Sequence, residues 1–207
     1  MKSTDRGASR PDLPVLDHGV PHERADAARN RLKVLAAAEK LFGERGVDAV
    51  SMDEVAAEAK VGKGTLYRRF GDKSGLAAAL LDERGRALQQ RMLSGPPPLG
   101  PGAPAEDRLV AFVQEYLAYL DSQLDLVLMS QTAAPGARFR NGAHAFFVQH
   151  VHVLLQEAGA DDARARAEFL MAGLAAEQVR HWRRVSGISL AALQGQMAAA
   201  ARQLAKA

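Results

Sequence analysis

The chain has 207 residues, of which 47% are hydrophobic and 25% are charged, proportions that are ordinary for a globular protein. It contains no cysteine, which excludes disulfides, thiol redox chemistry and cysteine-based zinc fingers. No apolar run reaches the length of a membrane span, and the first residues lack the apolar core of a signal peptide, so we expect a cytoplasmic protein with no membrane partner.

The net charge of +3 is concentrated in one part of the chain. Residues 1–21 carry three basic and three acidic side chains, and residues 92–207 carry ten of each. Residues 22–91 carry 14 basic and 11 acidic side chains, so the whole excess (14 − 11 = 3) lies there. Basic stretches are commonly no more than solvated faces, but a local excess also suits binding to the phosphates of nucleic acids.

The N-terminal part begins with a segment of low order. Residues 1–22 combine three prolines, two glycines and mixed charges without periodicity, which predicts a disordered arm. From Arg24 the pattern becomes helical, and Gly46 ends this first helix. Its apolar face is formed by Leu32, Leu35, Ala38, Leu41 and Phe42.

Two short helical patterns follow on either side of a tight corner. Ser51 and Glu54 have the spacing of a capping box and begin the second helix. Val61-Gly62 forms the corner. The third helix is predicted from about Lys63 to Phe70. Together they have the form of a helix-turn-helix whose second helix enters the DNA major groove.

The third helix has distinct inner and outer faces. Leu66 and Phe70 are one turn apart and point to the core, whereas Gly64 and Arg68 lie opposite them on the helical wheel. Asp72 is placed to cap a fourth helix that continues to about Arg91.

The remaining residues predict further helices and no strand. The Pro/Gly-rich stretch 94–104 cannot continue a helix, and both a surface loop and an interdomain linker fit it. Later Gly and Pro breaks delimit helices near 105–120, 122–133, 139–157, 162–185 and 189–205. The predicted fold class is all-α, with about nine helices.

The last two predicted helices are candidates for a dimer interface. The helix at 189–205 has a 3-4-3-4 apolar stripe that includes Leu190, Leu193, Met197 and Leu204. The helix at 162–185 is rich in small residues that permit close packing. A monomer can bury both in its own core, but a helix-turn-helix normally reads two half-sites as a dimer. We therefore expect a four-helix homodimer interface built from 162–185 and 189–205.

The segment from about Arg29 to Leu81 resembles the N-terminal domain of the TetR family of bacterial transcriptional regulators. The carrying motifs are L-F-G-E-R-G at 41–46, S-M-D-E-V-A-A-E-A at 51–59, V-G-K-G-T-L-Y-R-R-F at 61–70 and D-K-S-G-L at 72–76. The resemblance implies a helix-turn-helix domain at 23–72 and a helical ligand-binding and dimerisation domain at 73–207. It implies a homodimer that binds a palindromic DNA operator and is released by a small-molecule effector, acting as a repressor or, alternatively, as an activator.

The resemblance also implies which residues contact DNA. Thr65 and Tyr67 match hydroxyls that hold phosphate oxygens, and Lys73 matches a phosphate-binding lysine at a helix N-terminus. Ser51 stands where a hydroxyl of the second helix reaches the DNA backbone. The positions that approach base edges are Lys63, Gly64 and Arg68.

Two positions depart from the family pattern. Lys60 stands where the family usually has glycine, so either the corner is strained or Gly62 takes over part of the role. Asp53 lies where some relatives place a DNA-contacting residue, and a carboxylate there is unfavourable beside phosphates.

Two alternative functions, an enzyme and a metal sensor, have weaker support. Residues 62–65 (G-K-G-T) lack the order of a phosphate-binding loop and follow no strand, and no nucleophile-elbow motif is present. We therefore expect no catalytic residues and no cofactor. His150 and His152 lie about 200° apart on a helix and cannot share one ion through one face, and His144 and His181 add no clear site, so no metal is expected.

Aromatic and soft side chains of the second domain are candidates for a ligand pocket, although at helical spacing they also suit a core. The expected ligand-binding residues are Phe112, Tyr116, Met129, Phe146, Met171 and Trp182, with Gln178 and His150 as polar anchors.

Overall fold

The computed structural model describes residues 20–140 and 142–206, and all regular structure in these ranges is helical. The helices are α1 (Val20–Arg45), α2 (Met52–Ala59), α3 (Lys63–Phe70), α4 (Lys73–Ser94), α5 (Ala105–Ser122), α6 (Leu124–Thr132), α7 (Ala137–Arg140), α8 (Gly142–Glu157), α9 (Ala163–Gly173), α10 (Ala176–Arg180) and α11 (Leu190–Leu204), with a π-helical turn at His181–Val185. The all-α prediction is confirmed. The number of helices exceeds nine because the predicted segments 139–157 and 162–185 are each divided.

The start of the first helix differs from the prediction. Helix α1 begins at Val20, four residues before Arg24, so the last three residues of the predicted disordered arm 1–22 are helical. Residues 1–19 lie outside the described residues.

Helices α1 to α4 form the N-terminal unit around a small apolar core. The side chains of Ala38, Val55, Leu66 and Leu76 come from the four different helices, and each is at most 1% exposed. Helix α2 packs against α1, α3 packs against α2 and α4, and α4 returns to α1. Helix α4 also packs against α6, so one helix is shared between this unit and the rest of the molecule.

The Pro/Gly-rich stretch is a packed connection between α4 and α5. Leu99 is only 5% exposed and belongs to the same hydrophobic core as the helices. The backbone amide of Gly100 donates to the carbonyl of Pro96 at 3.0 Å. Because the loop contributes a core side chain, it does not separate two independent units.

The predicted helix 162–185 is divided at Leu174 and Ala175. Leu174 ends α9, and Ala175 adopts an extended conformation (φ −63°, ψ 141°) before α10 begins. The π-helical turn then places Arg183 against Asp121, at 2.7 Å, and Arg184 against Asp125, at 2.8 Å. These two ion pairs hold the turn against the corner between α5 and α6.

The apolar stripe of the last helix lies inside the chain's own core. Leu193 is 1% exposed, and Leu190, Met197 and Leu204 are partly buried against the same core. Helix α11 packs along α5, which offers the apolar partner that the stripe needs. The stripe therefore does not need a second chain to cover it, and the dimer interface expected through 162–185 and 189–205 stays a prediction.

An aromatic cluster fills the space between α5 and α8. The ring centroids of Phe112 and Tyr116 are 5.5 Å apart, and Tyr116 lies edge-on to Phe147 at 5.1 Å. The imidazole of His150 packs edge-on against Phe112 at 5.5 Å. Its Nε2 is buried and has no hydrogen-bond partner among the described residues.

His150 makes the stability of this cluster depend on pH. Burial, and then the charge of Arg108, lower the pKa of His150 from 6.5 to about 4. Between these values the unfolded chain binds the proton more readily than the folded one. The free energy of unfolding is thus undiminished above pH 6.5 and falls as the pH drops from 6.5 towards 4.

We expect His150→Leu to weaken this loss of stability in acid. Denaturant unfolding of both proteins at pH 7 and pH 4.5 measures it, with His181→Leu at an exposed position as the matched control. A His150→Leu protein that loses as much stability between the two pH values as the wild type would contradict the assignment.

Candidate nucleic-acid interface

The corner between α2 and α3 is made by Lys60 in a left-handed conformation. Its φ is 55° and its ψ is 43°, and its amide donates to the carbonyl of Ala57 at 3.1 Å. Gly62 has a φ of −66°, so it does not take over the left-handed role. A side chain in this conformation costs about 1–2 kcal/mol. The sequence allowed either a strained corner or a left-handed Gly62, and the structure has the strained corner, at Lys60.

The capping box at the start of α2 is present as predicted. The amide of Ser51 donates to Oε2 of Glu54 at 2.8 Å, and the amide of Glu54 donates back to Oγ of Ser51 at 3.3 Å. The hydroxyl of Ser51 also donates to Oε2 of Glu54 at 2.7 Å. These bonds from Ser51, joined by one from Arg45, lower the pKa of Glu54 to about 2.

The predicted contact of Ser51 with DNA competes with this network. A phosphate oxygen only accepts hydrogen bonds, so Ser51 needs its hydroxyl proton to reach one. That proton is given to Glu54. The geometry therefore assigns Ser51 to holding the start of α2.

Helix α3 presents a continuous exposed face. Gly64, Thr65, Tyr67 and Arg68 are all exposed, whereas Leu66 between them is buried in the core. Arg68 forms no hydrogen bond or ion pair with residues 20–140 or 142–206. Four of the seven predicted DNA contacts thus lie together on one accessible surface.

Lys63 is also exposed, but its ammonium is paired with Asp53 of α2. The hydrogen bond and the charge of Asp53 raise the pKa of Lys63. Asp53 therefore lies next to the first turn of α3 and holds the side chain of Lys63 in place. An approach of Lys63 to a base edge requires this pair to open.

Lys73 is occupied by the protein itself. Its ammonium donates to the carbonyls of Val47 at 2.9 Å, Asp48 at 3.2 Å and Val50 at 2.9 Å. An ammonium has three donors, and all three are used on the loop between α1 and α2. A phosphate contact by the Lys73 side chain therefore requires at least one of these three bonds to open.

The corner between α3 and α4 is fixed by Asp72 and Gly75. The carboxylate of Asp72 accepts from the amide of Gly75 at 2.8 Å, which confirms the predicted cap. A Cβ at position 75 would collide with the backbone carbonyl of Phe70, the last residue of α3. Only glycine permits this close approach, which sets the angle between α3 and α4.

Arg69 is a contributor that the sequence reasoning missed. Its guanidinium donates to the backbone carbonyl of Ala27 in α1 at 3.2 Å, so it ties the end of α3 to the first helix. No motif singles it out, because the acceptor is a backbone carbonyl 42 residues away.

The predicted ligand-binding residues do not gather around one cavity. Phe112 and Met171 are fully buried core side chains. Met129, His150, Gln178 and Trp182 are partly buried. Of the predicted residues, Tyr116 lines a small cavity between α4, α5, α6 and α8, and Phe146 lines a groove next to it.

The described residues place no three His, Asp or Glu side chains where they could share a metal ion. Within the same residues, no helix combines the length and apolar character that crossing a membrane requires.

The sequence of the helix-turn-helix decides the family. The family model of bacterial regulatory proteins of the tetR family matches residues 34–80. An HTH-type transcriptional regulator of Staphylococcus aureus (strain USA300) is 51% identical over 53 residues, which cover 26% of this chain and 29% of that protein. The helix-turn-helix domain thus belongs to the TetR family. The match thus spans less than a third of the curated relative.

Solved structures show the same fold over most of the chain. A fatty acid degradation regulator, FadR, from Bacillus halodurans superposes with a TM-score of 0.62 and 19% identity, covering 83% of this chain and 94% of that one. A transcriptional regulator from Saccharomonospora viridis, solved in complex with choline, superposes with a TM-score of 0.61 and 21% identity, covering 82% of this chain and 94% of that one. The matching family model describes bacterial regulatory proteins, which favours a regulator over the enzymatic alternative.

We expect Lys73→Met to lower the free energy of unfolding by about 1–3 kcal/mol, because it leaves loop carbonyls without their charged donor. Denaturant unfolding measures the loss, and Lys33→Met at an exposed position of α1 is the control. Normal stability, combined with a dependence of DNA affinity on salt that falls by about one unit, would instead make Lys73 a phosphate contact.

Proposed function

We propose that this TetR-family regulator is a repressor that binds a palindromic operator as a homodimer and is released by a small-molecule effector. In this proposal residues 23–72 bind DNA and residues 73–207 bind the effector and form the dimer. The observation that carries it is the exposed face of α3 with the unpaired Arg68, inside a helix-turn-helix of matching family. Activation is the alternative outcome of the same binding. Such a protein works in the cytoplasm, where bacterial DNA is accessible.

The contacts of α3 divide by chemistry. The hydroxyls of Thr65 and Tyr67 suit phosphate oxygens, and the guanidinium of Arg68 suits the two acceptors of a guanine. Gly64 lets the backbone come close to a base. Lys63 joins them after it leaves Asp53.

Arg68→Ala should relax base preference at one position in each half-site and weaken operator binding by about 1–3 kcal/mol. The reason is that Arg68 is exposed and bound to nothing else in the described chain. Selection from randomised duplexes, followed by binding titration, measures both effects, and Arg180→Ala, an exposed arginine of α10, is the control. An unchanged consensus for Arg68→Ala would make it a backbone contact only.

The dimer interface in this proposal uses α8 and α9, because α5 of the same chain covers the apolar stripe of α11. Helices α8 and α9 pack against each other. Their outer faces carry Val153, 37% exposed, and Phe169, 76% exposed. Small exposed residues flank these two: Ala145, Ala165 and Ala172. Two such helix pairs can form a four-helix bundle, which keeps part of the predicted 162–185 segment and replaces 189–205 with α8.

Phe169→Glu should yield a folded monomer with much weaker operator binding. The side chain is exposed within one chain, so a charge there disturbs only the contact between two chains. Sedimentation velocity measures the mass, and Val185→Glu, at a position 73% exposed, is the control. A folded Phe169→Glu protein that stays dimeric would place the interface elsewhere.

The effector is expected to act through α4. This helix begins at the Lys73 contact with the α1–α2 loop and continues along α6 and the small cavity. A ligand that moves α4 changes the separation of the two α3 helices from the spacing of about 34–36 Å that one DNA turn requires. The shift equals the difference in ligand affinity between the two arrangements.

A further inference from the structure

The small cavity between α4, α5, α6 and α8 has a lining of distinctive charge. Asp82 of α4 is the only carboxylate among the described residues that line it, and no lysine or arginine is among them. The apolar wall is aromatic and includes Tyr116, Tyr119 and Phe147. His144 also lines the cavity, and burial, followed by the charge of Arg138, lowers its pKa. Because this imidazole is neutral at pH 7, the lining carries one negative charge and no positive one.

Asp82 is available for a ligand. It forms no ion pair or hydrogen bond with residues 20–140 or 142–206. Its neighbour Glu83 differs, since it lies 3.8 Å from both Arg31 and Arg86. The charge of Asp82 reaches the cavity wall. Burial raises the pKa of Tyr119, the charges of Tyr116 and Asp82 raise it further, and the charge of Arg84 lowers it.

The space around Asp82 continues to the surface. On its outer side a groove of about 340 Å³ runs between α4 and the start of α8, and Asp82 and Ala143 line both this groove and the small cavity. Gly85 and Gly142 leave the groove without side chains at two positions. The groove is therefore a route of entry to the cavity, and Asp82 lies where the groove and the cavity meet.

We propose that the effector is an organic cation, bound between α4 and α8 with its positive charge at the carboxylate of Asp82. Its apolar part contacts Tyr116, Tyr119 and Phe147, whose rings attract a cation within about 6 Å of their centroids. This assignment rests on the proposed function, because it names the chemical class of that effector.

The two arginines nearest the site are bound to other groups, and the charge of Arg138 still reaches Tyr116 and His144 in the lining. Arg86 lines the outer groove, but it lies 3.8 Å from Glu83. Arg138 donates to the backbone carbonyl of Met171 and, at 3.5 Å, to Nδ1 of His144. Arg138 is not part of the cavity lining.

The size of the cavity links binding to movement. Its volume is about 30 Å³, which is room for about one water molecule. An organic cation of several carbon atoms fits only if α4 and α8 separate. Because α4 is fixed to the DNA-binding unit through Lys73 and through the pair of Arg84 with Glu39, this separation changes the position of α3.

Calorimetric titration of the full chain with benzyltrimethylammonium, benzyl alcohol and phenylacetate tests the charge preference. These probes share a ring and differ in charge. We expect the cation to bind at least tenfold more tightly than the other two. Asp82→Asn should remove that advantage and leave the affinity for benzyl alcohol unchanged, and Glu83→Gln, the matched carboxylate one residue away, should behave as wild type.

Equal binding of all three probes, no binding of the cation, or an unchanged advantage in Asp82→Asn would overturn the assignment. A parallel titration with a selected operator duplex separates this result from the proposed function. Failure to bind any duplex overturns the regulator itself. Asp82-dependent binding of the cation without any release of DNA supports the site and overturns only its role as an effector site.

Discussion

The three hydrogen bonds that Lys73 donates to loop carbonyls are the contact on which the arrangement of the helices in the N-terminal unit depends. The loop between α1 and α2 has no regular partner for the carbonyls of Val47 and Val50, and the ammonium at the first residue of α4 supplies one. It fixes the start of α4 to the end of α1, and the cap by Asp72 with the close approach at Gly75 then fixes α3 to α4. The recognition face is thus held by the helix behind it.

Helix α4 carries both the Lys73 contact with the α1–α2 loop and one wall of the small cavity. The N-terminal unit and the cavity therefore share one helix. Helix α1 is joined to the same element a second time by the pair of Glu39 with Arg84. A displacement of α4 at Asp82 cannot be absorbed by a flexible linker, since the Pro/Gly-rich loop lies beyond the far end of the helix and is itself packed through Leu99. The chain therefore provides a short mechanical path from the cavity to DNA.

Local features were predictable from the sequence, and contacts between distant residues were not. The capping box of Ser51 and Glu54 and the cap by Asp72 depend on residues three apart, and both are present. The role of Lys73 depends on carbonyls 23 to 26 residues away, which no pattern reveals. The stripe containing Leu193 was recognised, but periodicity does not say whether α5 or a second chain covers it. Asp82 was missed because a single exposed carboxylate on a helix has no distinguishing sequence signal.

The π-helical turn at His181–Val185 has a consequence for how this region can change in length. A π turn holds one residue more than the α-helical turn it replaces, so deletion of one residue before Arg183 shifts both arginines relative to α10. Arg183 and Arg184 would then no longer both face Asp121 and Asp125, to which they are joined at 2.7 and 2.8 Å. Homologous chains one residue shorter at this point should lack these acidic partners at the corner between α5 and α6. Chains of equal length can keep them.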